Sequence, residues 1–392
     1  MKFEGLTVGI PTEIMAGEGR VAGIPETVGS MIREGARVLI QAGAGRGAFI
    51  ADQEYEAVGA QIAAQAEDVY SGADIILKVK EPRHDDATGR HELDMMRAGQ
   101  HLVAFLHPAS PANHQMVRRM AAGGIVGLTL DGIPRIPRAQ IMDALTSMST
   151  VAGYKAVLMA AEKLRRFVPM MGTALGPLPP ANIVVVGTGV AGLQALTTAK
   201  RLGAQIQGAD IRPEACEQAR TLGAAMIDTG VPPELAIGDG GYAKRLPKEW
   251  LLRERDALRD SVAGADVLVL ASLVPGRMAP VLVTEDMVKS MKPGSVIVDV
   301  AVDQGGNCGI TAAGTTVEKY GVTIIGIQNI PGIVSASSTW MFSKNMYNFV
   351  AYVIHDGKVA LDMADEIVRS TLVTKDSHIV HAGALEAMDQ VQ

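Results

Sequence analysis

The chain has 392 residues, 48% of them hydrophobic and 20% charged, with a formal net charge of −6. That length accommodates two domains with separate cores, and the acidic balance argues against nucleic acid as a partner. With only Cys216 and Cys308 there is no disulfide framework and no CxxC metal site. The charged start MKFEGLTVGIPTEI lacks a secretory leader's apolar core, and no apolar run is long enough to cross a bilayer. These features predict a soluble, cytoplasmic protein.

Residues 6–132 alternate short apolar runs with helical stretches. Strands are expected at Leu6–Ile10, Arg37–Gln41, Asp74–Lys80, His101–Leu106 and Ile125–Leu130, with helices between them such as Pro25–Glu34 and Pro111–Ala122. A βαβα order predicts a parallel sheet covered by helices on both faces. Ala42–Gly47 (AGAGRG) is rich in glycine, but it lacks GxGxxG spacing and no strong helix starts at it, so it reads as a turn. Gly132–Arg138 (GIPRIPR) breaks the pattern with two prolines. Ala139–Arg166 then reads as one long helix carrying the chain into the next domain, and Met170–Pro180, rich in Gly and Pro, as a loop.

A second series fills 181–330, with strands expected at Ile183–Val186, Gln205–Ala209, Ala225–Asp228, Val267–Ala271, Ser295–Val300 and Val322–Ile327. Its first strand is a continuous β-branched run, the pattern of a strand buried on both faces. Gly187, Gly189 and Gly192 follow it directly. They would permit the tight turn, the approach of a pyrophosphate and the close packing of helix on strand. The helix from Val190 then points free N–H groups at the phosphates. Asp210 closes the next apolar segment, where an acid accepts the adenosine ribose hydroxyls and favours NAD over NADP; Arg212 beside it is counted with the same site. Between Asp228 and Trp250 a long stretch containing GDGGYAK reads as a lid. Thr339–His355 reads as a helix packing back onto the first domain. The expected fold is therefore α/β, two doubly wound parallel-sheet Rossmann-like domains joined by long helices. The first is discontinuous, 1–135 with 335–392, and the second is 136–334. The eight histidines form no HExxH, His378 and His381 read as part of a solvated tail, and no metal site is expected.

Several of these segments carry a resemblance that extends over nearly the whole chain, to the alanine dehydrogenase and transhydrogenase α-subunit superfamily. PRIPRAQIMDALTSMSTVAGY (Pro134–Tyr154), VGTGVAGLQALTTAKRLGA, GDGGYAK, LVPGRMAPVL (Leu273–Leu282) and the GGNC of Gly305–Cys308 are similar to the NAD(H)-binding component of proton-translocating nicotinamide nucleotide transhydrogenase. The resemblance implies NAD as cofactor and hydride transfer to NADP(H) held on a partner subunit at the membrane. It also implies a homodimer, held peripherally at an inner membrane through its partners. It places Arg135, Gln140, Asp143 and Thr146 around the nicotinamide, with Thr146 departing from the family's usual serine. It places Gly240, Gly241 and Tyr242 on a mobile loop over the adenosine.

The other branch, alanine dehydrogenase, holds a substrate carboxylate with an Arg and a Lys and works with a His and an Asp. The matching positions carry Arg20, Lys80, His107 and Asp303. Hydride transfer between two nicotinamides moves no proton and needs orientation and dryness. Oxidative deamination needs an acid/base group poised near neutral pH, work suited to His and a desolvated Lys. Transhydrogenase is the main expectation and an amino-acid dehydrogenase the alternative. An NAD-sensing binding module is a third reading, without positive support in the sequence.

Overall fold

The apolar runs in the first third of the chain become six strands: β1 (Thr7–Ile10), β2 (Arg37–Gln41), β3 (Gln61–Ala63), β4 (Ile75–Leu77), β5 (His101–Ala104) and β6 (Val126–Thr129). In this computed structural model, which describes residues 1–238, 243–274 and 278–389, the six run parallel in the order β6–β5–β4–β1–β2–β3. Val8, Ile10, Val38, Ile40, Ile75, Ile76 and Leu77 are all buried, as expected of strands covered on both faces. Helix α1 (Pro25–Arg33) opens on a proline and buries Val28 and Met31; α2 (His114–Ala122) buries Met116, Val117 and Met120. The strand order reverses between β1 and β4, the switch point beyond whose C-terminal ends open α/β sheets bind ligands.

The C-terminal residues complete this sheet rather than trailing into solvent. Leu372–Lys375 pairs antiparallel with β6, and His378–Ile379 pairs antiparallel with that strand. Leu372, Val373 and Thr374 are buried. Thr374 Oγ1 accepts from Gly127 N at 3.0 Å and donates to Ile125 O at 2.8 Å, which stitches the strand to β6.

The long helix also starts later than its apolar pattern suggested. Pro137–Met142 winds as a 3₁₀ segment, and only after Asp143 does α3 (Ala144–Lys163) begin. The chain divides into two compact units, 1–148 with 332–392 and 149–331. The first divide thus falls inside α3 rather than after Arg135, and the second after Pro331 rather than after residue 334.

The second unit has its own seven-stranded sheet: β7 (Asn182–Val186), β8 (Gln205–Ala209), β9 (Ala225–Met226), β10 (Val267–Leu270), β11 (Val296–Asp299), β12 (Thr316–Lys319) and β13 (Val322–Ile325). Their order is β9–β8–β7–β10–β11–β13–β12, all parallel except the edge strand β12. The period of two sorts the side chains between two cores. Ile183, Val185, Val267 and Val269 pack with Leu196 and Ala199 of α4 (Val190–Arg201) and with Ala156 and Ala160 of α3. Val184, Val186, Leu268 and Leu270 pack on the other face, with Leu258 and Val262 of the helix Lys248–Gly264. Each buried valine, leucine or isoleucine of these two cores stabilises by about 1.5–3 kcal/mol. The expected loop Met170–Pro180 contains a short antiparallel hairpin, Met171–Thr173 with Gly176–Leu178.

Candidate functional site

In the second unit the glycine turn sits at the C-terminal end of β7, where the order reverses between β7 and β10. Its three glycines are required for different reasons. Gly187 has φ +89°, and a Cβ there would lie 2.6 Å from Ser272 N; a Cβ on Gly192 would lie 1.9 Å from Gly187 O. These two are fixed by the protein's own backbone. Among the described residues a Cβ on Gly189 would meet only the Arg212 guanidinium, at 3.5 Å, so none of them demands that glycine and they leave the turn open for a ligand to approach. Val190 opens α4 with its N-terminus on this turn, which supplies the positive end of a helix dipole and free N–H groups. These residues fit the phosphates of a dinucleotide.

Asp210, 8% exposed, lies where the ribose acid was expected, but its oxygens are occupied. Oδ1 accepts from Arg212 N at 2.9 Å and Arg212 Nε at 3.0 Å; Oδ2 accepts from Thr188 N at 2.8 Å and Arg212 Nη2 at 2.9 Å. A carboxylate has about four acceptor sites, so Arg212 both fills and neutralises it. Thr188, buried inside the motif, was not singled out in the sequence. The middle position of GTG gives no signal that its N–H will hold the acid.

The rim beyond β10 is held by the GGNC turn. Asn307 Oδ1 accepts from Ser272 N at 2.9 Å, and its Nδ2 donates to Ser272 O at 2.9 Å and Pro280 O at 2.8 Å. Asp299 anchors that turn by accepting from Asn307 N and Cys308 N, both at 3.0 Å, and from Thr311 Oγ1 at 2.9 Å. Burial pushes the Asp299 carboxyl above its ordinary range, against the pull of those donors. Gly240, Gly241 and Tyr242 of the expected lid lie outside the described residues, as do residues 275–277.

In the first unit Asp143 and Thr146 come together at the start of α3. Asp143 Oδ1 accepts from Thr146 N at 2.8 Å, and its Oδ2 from Thr146 Oγ1 at 2.6 Å, so the acid caps the helix. Arg135 and Gln140 stand exposed on the preceding segment. That segment is braced by Asn345 Nδ2, which donates to Ile141 O at 2.9 Å.

At the β1–β4 switch point the first unit carries a buried charged network instead of a glycine turn. Lys78, 1% exposed, meets Glu92 at 2.6 Å and Glu13 at 3.3 Å. Tyr70 donates to Glu92 at 2.8 Å, and Glu13 accepts from Val79 N at 2.6 Å. Burial raises the Glu13 carboxyl against the pull of Lys78. It would lower the Lys78 ammonium, but the two carboxylates outweigh it and hold that group up. Next to the network, Lys80 and His107 lie just past the ends of the adjacent strands β4 and β5. His107 adopts φ +44°, a left-handed conformation held by its N–H donating to Asp131 Oδ2 at 2.6 Å. Its ring faces Asp131 Oδ1 at 3.3 Å and Glu81 Oε2 at 3.7 Å. Burial would depress His107, but Asp131 and Glu81 outweigh it and raise the imidazole. Burial likewise opposes ionisation of Glu81, yet His107 and Arg83 draw it down to about 2.

Arg20, 3% exposed, spends its guanidinium on Glu18 and on Met148 Sδ at 3.0 Å. A cavity of about 440 Å³ beside it is lined by Thr12, Glu13, Glu18, Gln41 and Arg46, so the AGAGRG segment is a turn that walls a cavity. Asp303 belongs to the second unit, where its Oδ2 accepts from Asn329 N at 3.2 Å. Asp131, the partner of His107, was not foreseen; the sequence places it beside the GIPR break without a motif.

Family models described as alanine dehydrogenase/PNT, N-terminal domain and C-terminal domain match residues 9–152 and 156–382. The chain is 40% identical to an NAD(P) transhydrogenase subunit alpha polypeptide of Rhodospirillum rubrum, over 96% of this chain and 98% of that one. A crystal structure of transhydrogenase from Sinorhizobium meliloti superposes with a TM-score of 0.81 at 38% identity, covering 96% of this chain and 99% of the other. An L-alanine dehydrogenase structure superposes with the same TM-score at 30% identity, covering 99% and 100%. Among the described residues no helix is long and apolar enough to cross a membrane. The chain belongs to the alanine dehydrogenase/PNT family.

Proposed function

We propose that this chain is the NAD(H)-binding α subunit of a proton-translocating transhydrogenase, an oxidoreductase that exchanges a hydride with NADP(H) bound on a partner subunit. The observation that carries this reading is the 40% identity to a transhydrogenase α subunit across 96% of the chain. The open glycine turn at the β7–β10 switch point supports it. Gly187, Gly189, Val190 and Gly192 take the pyrophosphate, and Asp210 and Arg212 the adenosine end. Gly241 and Tyr242, which lie outside the described residues, are counted with the same cofactor-binding set. Arg135, Gln140, Asp143 and Thr146 orient the nicotinamide, with Asp143 and Thr146 already locked to each other. Bound NAD(H) supplies the hydride. The protein's task is to hold the ring at the right distance and exclude water, since no proton moves. The active assembly is a homodimer, cytoplasmic and held at the membrane only through its partners.

Arg135→Ala and Gln140→Ala slow hydride transfer to NADP(H) on the order of a hundredfold, because a misplacement of about an ångström costs that much. NADH affinity falls far less. Stopped-flow transfer in the reconstituted complex, set beside fluorescence titration of NADH, checks the separation; equal losses in both remove the orienting role.

A second reading rests on the His107–Asp131 pair with Lys80 beside it, an acid/base arrangement that hydride transfer alone does not use. In an NAD-dependent amino-acid dehydrogenase, Lys80 and Arg20 would hold the carboxylate, His107 would move the proton, and Asp303 would assist. Glu18 already occupies Arg20, which weighs against it.

A further inference from the structure

Arg135 and Gln140 stand on a short segment that apolar burial holds at few points. Ala139 and Met142 turn inward and are buried, while Ile141 is 62% exposed. One face of the helix Ser335–Val353 grips this segment by polar groups instead. Asn345, Asn348 and Tyr352 recur at helical spacing, so their side chains share that face. Asn345 Nδ2 donates to Ile141 O at 2.9 Å, and Asn348 Nδ2 donates to the same carbonyl at 3.3 Å. Tyr352 Oη accepts from Arg138 Nη1 at 2.8 Å and donates to Asp365, which also accepts from Arg138 Nη1 at 3.1 Å. The ties therefore fall on either side of Gln140, at 138 and 141. All of these residues belong to the first unit.

Asn345 is a costly choice for packing alone. It is 7% exposed, and its Oδ1 is buried without a hydrogen-bond partner among the described residues. A buried acceptor left unpaired opposes folding, so an apolar side chain of similar size would fill the space at less cost. What the asparagine adds is the donor to Ile141. We propose that Asn345 is a positioning residue for hydride transfer. Through the Ile141 carbonyl it fixes the segment that carries Arg135 and Gln140, and Asn348 and Tyr352 extend the brace. The inference rests on the transhydrogenase reading above, in which those two side chains orient the nicotinamide. Transfer is steep in distance: a misplacement of about an ångström costs around a hundredfold, so a segment loosened by part of that loses about tenfold. Affinity for NADH is set chiefly at the pyrophosphate and adenosine in the second unit, and is spared.

Asn345→Leu tests this, because it removes the donor together with the unpaired acceptor. Three quantities are measured on the full chain: the thermal melt, the NADH dissociation constant, and the single-turnover rate of hydride transfer to NADP⁺ in the complex reconstituted with the NADP(H)-binding partner. The variant melts close to wild type and binds NADH within about twofold of it, yet transfers hydride about tenfold more slowly. A purely structural asparagine would instead move the melt and leave the rate per bound NADH unchanged; that result overturns the proposal alone. Equal losses in NADH affinity and rate overturn it too, since the brace would then serve binding. Should Asn345→Leu fail to fold, the double variant Asn348→Ala/Tyr352→Phe, at half-buried positions, is read in its place. A loss of about threefold or more in rate, with NADH affinity kept, supports the brace, and a wild-type rate overturns it. A wild-type complex that binds NADH but passes no hydride removes the transhydrogenase reading and this proposal with it.

Discussion

Lys78 is held at the centre of the first unit by two carboxylates, and removing it would leave both of them buried without a counter-charge. Lys78→Met is expected to cost about 3–5 kcal/mol, the range for breaking a buried pair from one side, measured as the shift in urea denaturation. Lys80→Met, two residues on and partly exposed, changes stability by well under 1 kcal/mol, as surface changes do. The stretch KVKEP offers both lysines with equal emphasis. Nothing local says which one turns inward, because the deciding groups are Glu13 and Glu92, and the latter is 14 positions away. Asp131 was illegible for the same reason: a carboxylate acquires its role from what folds against it, here His107. The glycines could be located at the β7–α4 turn from the sequence because their spacing dictates how a strand turns tightly into a helix. That Arg212 would close on Asp210 could not.

Elements with a strong period were legible, and those defined by distant partners were not. β2 and β8 run over the residues expected of them, Arg37–Gln41 and Gln205–Ala209. The edge strand β12, TVEK, alternates too weakly to be read, and the 171–178 hairpin buries almost nothing, with Leu175 fully exposed. In the strand–turn–helix of β7 and α4 two glycines of one motif should behave in opposite ways. Gly192→Ala places a methyl 1.9 Å from a backbone oxygen and is expected to destabilise the fold by at least about 3 kcal/mol, as overpacking against unyielding backbone does. Among the described residues Gly189→Ala meets nothing closer than 3.5 Å. It should melt like the wild type and lose NADH binding by about tenfold or more, since in the proposed site the methyl stands in the path of the pyrophosphate. Thermal melts and NADH titration of the two variants separate fold from function.

At the scale of the whole chain, the sequence carried the α/β class and the two parallel-dominated sheets, while the strand Leu372–Lys375 that completes the first of them gave no signal. The family's two activities are the remaining question, and a direct assay separates them. The pure chain should show no NAD-dependent oxidation of L-alanine and no reductive amination of pyruvate, because in the proposed assembly the oriented ring meets a second nicotinamide rather than an amino acid. Turnover abolished by His107→Ala would establish the amino-acid reading instead. The stitch between β6 and the strand Leu372–Lys375 has a consequence for biosynthesis. Gly127 and Thr374, which it joins, are 247 positions apart. At about 5–20 residues per second of translation, the nascent chain carries β6 with a bare edge for on the order of ten to fifty seconds, while the contiguous second unit is made and can fold. An open edge of that kind is a template for pairing with another chain. A message cut short just before Leu372 should therefore yield a product in which the second unit is native while the first is a client of chaperones.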